Sequence, residues 1–193
     1  MTKSPIWFPT SRLAHMRLSA NIRAWLLAPG STTKLFNTLS QRPMQIRRLQ
    51  QAWQVPLRAE THKLGLPLHK QVLLRQVELW CDDHPWMYAR AAIPSETLIG
   101  KYQQLKRLGT RPLGDILFRD PLMKRSPFEV ALLKSTHVEY QLAIDDLPIQ
   151  PKADVSLFAR RSVFLLNHEP LLLTEIFLPM CTERLTEYAE KNI

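Results

Sequence analysis

Two charged residues lie at positions that a sheet-forming pattern would fill with apolar side chains. Glu175 lies within the stretch 170–179, where prolines bracket eight residues of which six are large and apolar. In the alternating segment 71–80, Arg75 falls on the same face as the apolar residues Leu73, Val77 and Leu79. A glutamate is almost never fully buried unless it is paired, and an ionised one in apolar surroundings costs several kcal/mol. Both residues are therefore candidates for binding or catalysis.

The two residue types are suited to opposite ends of a small aromatic acid. An arginine fork on an apolar wall can bind a carboxylate through two parallel hydrogen bonds. A glutamate on an apolar wall can accept from a hydroxyl, or donate to one, depending on its pKa. Together they indicate a dry pocket for a ring with a carboxylate at one end and a hydroxyl at the other. The pattern leaves open the alternative that Arg75 and Glu175 simply pair with each other.

A mostly antiparallel sheet is expected to position these residues. The stretch 170–179 has apolar residues in both alternating phases, which is typical of a central strand covered on both sides, and Pro179 ends it. Segments 71–80 and 86–93, joined by a turn at 82–85, predict a hairpin. Further strands are predicted at 44–55, near a sheet edge, at 155–166 before a turn at 167–169, and within 128–147. A polar connection is expected at 56–67.

Helical patterns occur in two places and predict two hairpins that could cover the sheet. The first has helices at Ala20–Leu27 and Thr32–Leu39, with Ser19 and Ser31 as candidate caps and Pro29-Gly30 between them. The second runs from 94 to 108, ends at Gly109 and continues into a short helix within 111–118. We therefore predict an α+β fold with an antiparallel sheet of about six strands, preceded by an irregular strap at 1–18.

Composition favours one globular domain over the whole of 1–193, with 45% hydrophobic and 22% charged residues. The two cysteines are too few for a disulfide framework, and no apolar run approaches the ~18 residues of a membrane span. Because the N-terminal residues lack a long apolar stretch, we expect no signal peptide. We expect a cytoplasmic protein. The net charge of +9 could attract nucleic acid, an anionic membrane or small anions. Because the basic residues are spread along the chain, a solvated positive surface is the plainer interpretation.

Other catalytic motifs are missing from the sequence. The six histidines show no metal-ligand spacing, and the serines lack a nucleophile-elbow context. The segment 109–114 has two glycines but lacks the lysine and hydroxyl residue that complete a phosphate loop. From these spacings we expect no metal site.

At these residues the sequence resembles the chorismate lyase family. The resemblance runs from about residue 20 to 180, and the last segment combined with the Pro-Leu-Gly turn is specific. Four separated segments carry it: Leu74-Arg75 with Pro85-Trp86 and Arg90; Leu108-Gly109 with Pro112-Leu113-Gly114 and Leu117-Phe118; Arg160-Arg161-Ser162; and 170–179, whose string LLLTEIFLP is close to the family's own.

The resemblance implies a lyase that converts chorismate to 4-hydroxybenzoate and pyruvate, as the first committed step of ubiquinone biosynthesis. It implies two helical flaps over an internal site, with Arg75 on the product carboxylate, Glu175 on the hydroxyl, and Leu113 and Thr32 as further binding positions. Arg75 and Glu175 would be the catalytic pair, and Arg90 is a candidate for the second substrate carboxylate. No cofactor is implied, and we expect a monomer without nucleic-acid partners or stable membrane insertion.

The sequence departs from the family pattern at three places. Thr32 stands where the pattern has Met, the segment 119–156 is longer than expected, and a C-terminal extension covers about 180–193. A non-catalytic effector-sensing domain of the same fold is the main alternative, although too few residues precede the first helix for a DNA-binding module. Nucleic-acid binding through the positive charge is a third interpretation, which predicts steep salt dependence.

Overall fold

The computed structural model describes residues 3–15 and 20–190, and an antiparallel sheet runs through them. The described residues form eight strands, of which six have five or more residues, so the predicted α+β class is confirmed. The spatial order is β1-β6-β7-β8-β4-β3-β2, and β5 pairs with β7. The strands are β1 (Phe8–Pro9), β2 (Gln45–Gln54), β3 (Val72–Cys81), β4 (His84–Ile93), β5 (Lys124–Arg125), β6 (Glu129–Leu133), β7 (Leu157–Leu166) and β8 (Glu169–Phe177).

Strand β8 is central, because it pairs with β4 on one side and β7 on the other. The turns that precede β4 and β8 each contain two residues with positive φ, at Asp82-Asp83 (50° and 67°) and Asn167-His168 (52° and 70°). Two consecutive positive φ values define the tight hairpin turn whose twist matches that of its strands. These turns align β3 with β4 and β7 with β8.

Six α-helices lie among the described residues: α1 (Ala20–Leu27), α2 (Thr32–Leu39), α3 (Arg58–Lys63), α4 (Gly114–Leu117), α5 (Val138–Ile144) and α6 (Pro179–Glu190). The bounds of α1 and α2 agree with the prediction. Ser31 occupies the N-cap position of α2, but its side chain makes no capping hydrogen bond. Ser19 lies outside the described residues. The first arm of the second hairpin is a 3-10 helix, Gly100–Arg107, rather than an α-helix.

Three local predictions were wrong. The connection at 56–67 contains α3, and the strap contains β1 and a 3-10 helix, Thr10–His15. The strand predicted over 128–147 ends at Leu133, and α5 follows. Apolar residues at 138, 140 and 142 imitate strand alternation, but the buried set around α5 is Tyr140, Ala143 and Leu147, which has helical spacing. Burial of that helical face against the sheet decides the local structure.

The two faces of the sheet carry different layers. On one face α1, α2 and α6 cover a cluster that includes Phe36, Met87 and Phe177, and the second hairpin covers a neighbouring cluster around Leu105 and Leu117. The opposite face is covered by α3 and α5. Helix α6 packs Cys181 and Leu185 into the first cluster, so the C-terminal segment contributes to the core. None of the described helices is long and apolar enough to span a membrane.

Candidate active site

The sheet brings Arg75 and Glu175 to the same face on either side of β4. In the register, Arg75 lies opposite Ala91 and Glu175 lies opposite Ala89. Neighbouring strands are about 4.8 Å apart, so the two backbones are separated by roughly 10 Å across the sheet. The two alanines between them have small side chains and leave space above β4. Arg75 and Glu175 therefore form opposite walls over an alanine floor.

All four predicted site residues line one cavity on this face. Thr32, Arg75, Leu113 and Glu175 are 8%, 3%, 7% and 5% exposed. The first hairpin contributes Thr32 and the second contributes Leu113, so both hairpins cover the same space. The strands and α4 supply most of the apolar lining: Ile46, Val77, Leu79, Met87, Ala89, Ala91, Leu117, Phe164 and Leu173.

Glu175 pairs with Arg160 rather than with Arg75. The two residues are direct cross-strand neighbours in β7 and β8. Arg160 donates from Nε to Glu175 Oε2 at 2.7 Å and from Nη2 to Oε1 at 3.3 Å. The Thr32 hydroxyl also donates to Oε1. The simple Arg75–Glu175 ion pair left open by the sequence is therefore not formed.

The surroundings of Glu175 keep it ionised. Burial acts to raise the pKa of its carboxyl group, but the charge and hydrogen bonds of Arg160, the Thr32 hydroxyl and the charge of Arg125 outweigh burial and hold the pKa below its ordinary value. An ionised carboxylate accepts about four hydrogen bonds. Three reach Glu175 from the described residues, which leaves acceptor capacity on Oε2 for a substrate hydroxyl.

Arg75 is held in place but retains unused donors. Its Nη2 donates to the backbone carbonyls of Gly109 and Arg111 at 3.2 and 3.0 Å. Its Nε is buried and has no hydrogen-bond partner within the described part of the chain. Burial, together with the nearby charge of Arg48, lowers the pKa of Arg75 to about 10. A buried guanidinium with unused donors is a suitable site for a carboxylate.

Arg160 is a central residue that the sequence interpretation missed. It is 1% exposed. Besides binding Glu175, its Nη1 donates to the carbonyls of Trp25, Leu26 and Ala28 at 3.1 to 3.3 Å, where α1 ends. Its Nη2 also donates to Thr32 Oγ1 at 2.8 Å. One guanidinium thus fixes the carboxylate of Glu175 and satisfies the last carbonyls of the helix above it.

We predict that Arg160→Met lowers the free energy of unfolding by about 3 kcal/mol, because removing one partner of a buried ion pair leaves the other charge uncompensated. Urea unfolding measures this change. The control is Arg184→Met on α6, an exposed arginine paired with Glu187, whose loss should change stability by less than about 1 kcal/mol. Equal stability of the two variants would contradict the role given to Arg160.

The structure contradicts the prediction for Arg90. Because Ala89 and Ala91 face the cavity, the intervening Arg90 points to the opposite face of β4. There it forms a buried ion pair with Glu60, with Nε to Oε1 at 2.8 Å and Nη2 to Oε2 at 3.2 Å. A different arginine, Arg125 on β5, lines the cavity instead. Across residues 3–15 and 20–190 no cluster of His, Cys, Asp and Glu could hold a metal ion.

Comparison with known proteins identifies the family of the chain. The family model described as Chorismate lyase matches residues 1–187. A protein named probable chorismate pyruvate-lyase from Hydrogenovibrio crunogenus is 33% identical over 174 residues, covering 90% of each chain. A protein of the same name from Cupriavidus metallidurans is 36% identical over 183 residues, covering 93% of this chain and 83% of the relative.

Solved structures share the fold at low identity. PhnF from Mycobacterium smegmatis matches with a TM-score of 0.54 and 11% identity, covering 92% of this chain and 89% of that one. The C-terminal domain of the histidine utilization repressor from Pseudomonas syringae matches with a TM-score of 0.53 and 11% identity, covering 71% of this chain and 92% of that domain. At such identities the likeness establishes the architecture alone.

Proposed function

The chain belongs to the chorismate lyase family and is a carbon–oxygen lyase, and from this premise we propose that it converts chorismate to 4-hydroxybenzoate and pyruvate in an enclosed pocket. The observation that carries the proposal is the placement of Arg75 and Glu175 as opposite walls of one cavity. As the family resemblance implies, this reaction would be the first committed step of ubiquinone biosynthesis.

The reaction breaks a carbon–oxygen and a carbon–hydrogen bond of the ring and makes the ring aromatic. The ether bond between the ring and the enolpyruvyl group breaks, and the ring carbon that bears the hydroxyl loses its hydrogen as a proton. The electrons of that C–H bond complete the aromatic ring, while the leaving enolpyruvate takes up a proton and becomes pyruvate. Because aromatisation makes the step downhill, positioning and charge stabilisation are the tasks left to the protein.

Arg75 and Glu175, on opposite sides of the cavity, have different roles in this proposal. Arg75 offers unused guanidinium donors to the ring carboxylate. Glu175 is ionised, so its Oε2 accepts the hydrogen bond of the ring hydroxyl and lies near the hydrogen that must leave. As the ether bond breaks, the ring becomes electron-poor and that hydrogen becomes acidic. A fixed carboxylate can then stabilise the ring and accept the proton.

Thr32 supports the proposal in a way that its family counterpart, Met, would not. Its hydroxyl donates to Glu175 Oε1 and accepts from Arg160 Nη2. The first helical hairpin is therefore tied to the catalytic carboxylate by a polar side chain. The departure from the family pattern adds a hydrogen bond at this position and leaves Glu175 in the cavity.

Incubation of the purified protein with chorismate is the direct test. We expect 4-hydroxybenzoate and pyruvate to appear in equal amounts, followed by chromatography and by a coupled pyruvate assay. A protein that binds 4-hydroxybenzoate but leaves chorismate intact would instead be an effector-sensing domain, and the proposal would be wrong.

We further propose that the enzyme acts in the cytoplasm, as a monomer and without a cofactor. Support for a reducing compartment comes from Cys81 and Cys181, which are both buried free thiols. The arginines and the carboxylate of the cavity supply the charges that the elimination needs, so the proposed mechanism calls on no further group.

The two hairpins meet above the cavity, and this contact should slow product release. A Cβ atom added at Gly114 would lie 3.0 Å from Ser31 Oγ, closer than ordinary van der Waals contact, and 3.4 Å from Cδ2 of Phe118. Closed hairpins over a buried aromatic acid predict strong inhibition by 4-hydroxybenzoate, with lid opening limiting turnover.

Gly114→Ala is expected to weaken 4-hydroxybenzoate binding by about tenfold and to speed its release, because the added methyl group overpacks the contact between the hairpins. Stopped-flow release of the product measures the change. The double variant Gly114→Ala with Ser31→Ala removes the atom that the methyl group meets and should restore much of the affinity. Unchanged release in the single variant would show that the hairpins do not gate the site.

A further inference from the structure

A further arginine at the cavity, Arg125, is held by contacts of its guanidinium with aromatic rings and by one hydrogen bond. It lies on β5, opposite Phe164 of β7. Its Nε donates to Ser162 Oγ at 2.9 Å. Its guanidinium carbon lies 3.8 Å from the ring centroid of Phe128 and 4.9 Å from that of Phe164. These contacts fix the plane of the guanidinium beside the cavity.

The remaining donors of Arg125 are unused. A guanidinium has five N–H donors, and within the described part of the chain only the one on Nε makes a hydrogen bond. The nearest carboxylate oxygen is Glu175 Oε2, 3.9 Å from Nη2, which is too long for a hydrogen bond. The side chain is only 15% exposed. A partly buried cation with unused donors is well placed to bind an anionic partner when the site is occupied.

The charges of the cavity do not balance without that partner. Burial lowers the pKa of Arg125 to about 10, and Arg160 adds to this effect while Glu175 opposes it. Glu175 already neutralises Arg160, with which it forms its closest ion pair at 2.7 Å. Arg75 and Arg125 are thus two guanidinium groups without a full counter-charge. The proposed substrate is a dianion at neutral pH, whereas its aromatic product carries one carboxylate.

Arg125 lies where the second carboxylate of the proposed substrate, chorismate, would be expected. With the ring carboxylate on Arg75 and the hydroxyl on Glu175, the ring lies over the alanine floor. In chorismate the enolpyruvyl ether is attached to the carbon next to the one that bears the hydroxyl. The side chain must therefore leave the ring beside Glu175, and Arg125 is the cationic residue at that end of the cavity that keeps unused donors.

We propose that Arg125 binds the carboxylate of the enolpyruvyl side chain, the group that departs as pyruvate, an inference that rests on the proposed function. A guanidinium at this point would also stabilise the negative charge that grows on the ether oxygen as the carbon–oxygen bond breaks. Arg125 would make the site selective for the dicarboxylate substrate over aromatic monocarboxylates. Arg125 would then have the role that the sequence suggested for Arg90, which instead lies on the opposite face of β4.

The test compares ligands that do and do not carry the second carboxylate. In Arg125→Gln we expect kcat/KM for chorismate to fall about a hundredfold, because charge-assisted hydrogen bonds to the leaving carboxylate are lost. The dissociation constant of 4-hydroxybenzoate should change less than about threefold, since that ligand does not reach Arg125. Pyruvate should inhibit the wild-type protein but not Arg125→Gln. Arg125→Lys should recover part of the rate. The matched control is Lys124→Gln, the exposed cation next in the chain, which should behave as wild type.

The outcomes separate the two proposals. If wild type converts chorismate and Arg125→Gln does so equally well, the assignment of Arg125 is wrong and the lyase function stands. If Arg125→Gln loses 4-hydroxybenzoate and chorismate affinity to the same extent, Arg125 acts only as a structural clamp on Ser162 and Phe128, and the assignment is again wrong. If wild type leaves chorismate intact, the lyase proposal fails and this inference fails with it.

Discussion

Glu175→Gln is expected to lower kcat for pyruvate release by about a thousandfold while the protein remains folded. The amide keeps the shape of the side chain and can still accept from Arg160, but it has no negative charge and cannot take up the ring proton. Removing a positioned general base or electrostatic stabiliser costs 10²- to 10⁴-fold in rate. Steady-state turnover of chorismate under saturating substrate measures the effect.

Glu129→Gln is the matched control for this variant. Glu129 is also a sheet glutamate paired with an arginine, Arg161, at 2.7 Å, but it does not line the cavity. Its replacement should leave kcat within about twofold, although both variants lose an ion pair. Thermal unfolding of the two variants shows whether lost activity reflects lost folding. Full turnover in Glu175→Gln would defeat the catalytic assignment.

Arg75→Gln is expected to raise the dissociation constant of 4-hydroxybenzoate by at least about a hundredfold. In the proposed complex the ring carboxylate loses its charge-assisted hydrogen bonds to the unused donors of Arg75, each worth about 1.5–3 kcal/mol. The KM for chorismate should rise in parallel, so this variant is mainly defective in binding, whereas Glu175→Gln is mainly defective in rate. Isothermal titration with 4-hydroxybenzoate measures the loss.

The control for Arg75 is Arg111→Gln. Arg111 is exposed, its backbone carbonyl accepts from Arg75, and its side chain donates to Arg107 O outside the cavity. Its replacement removes one nearby charge but no donor from the site, so product affinity should stay within about threefold. If Arg75→Gln and Arg111→Gln weaken binding equally, general electrostatic attraction would explain the result, and the specific contact would be wrong.

The stability of Arg75→Gln should contrast with that of Arg160→Met. The lowered pKa of Arg75 means that the fold disfavours its charge, chiefly through burial. Arg160, by comparison, has a carboxylate partner and three helix carbonyls. We therefore expect the loss of Arg75 to cost the fold little. An uncompensated charge retained in a cavity is what a binding site for an anion requires.

Much of the site could be predicted because hydrophobic alternation fixes which residues share a face. Segment 170–179 is almost wholly apolar, so its single glutamate is conspicuous, and in the alternating segment 71–80 Arg75 shares a phase with Leu73, Val77 and Leu79. The central position of β8 followed from its two apolar faces. Both predictions depend only on local sequence pattern. In the structure β8 pairs with β4, and Arg75 and Glu175 lie on the same face of the sheet.

Arg160 was missed because its pairing depends on turn length. The sequence pattern predicts a three-residue turn at 167–169, but the turn has two residues, Asn167 and His168. With two residues in the turn, counting back from both ends puts Arg160 directly opposite Glu175. A shift of one residue would move it to the other face.

Arg90 faces away from the cavity because of a β-bulge in the pairing of β3 with β4. Counting back from the tight turn at Asp82-Asp83, regular pairing would put Arg90 opposite Arg75 and on the same face. The register instead shifts between Leu79 and Trp80, so Arg75 pairs with Ala91. A β-bulge of this kind adds one residue to one strand and reverses the facing of everything beyond it. Alternation could not reveal the bulge, because both faces of β4 are apolar.

Arg125 had no sequence signal of its own. It lies on a two-residue strand, and pairing so short is decided by tertiary contacts rather than by periodicity. The contacts that hold it, from Ser162, Phe128 and Phe164, come from separate elements. The role proposed for Arg125 therefore depends on the assembled sheet.

A crystal structure of the protein with 4-hydroxybenzoate is the most direct test of the arrangement on which all of these expectations depend. The ring should lie over Ala89 and Ala91, with its carboxylate within hydrogen-bond distance of the Arg75 guanidinium and its hydroxyl on Oε2 of Glu175. A ligand bound outside this cavity, or one whose carboxylate lies on Arg125 while Arg75 stays unoccupied, would contradict the account.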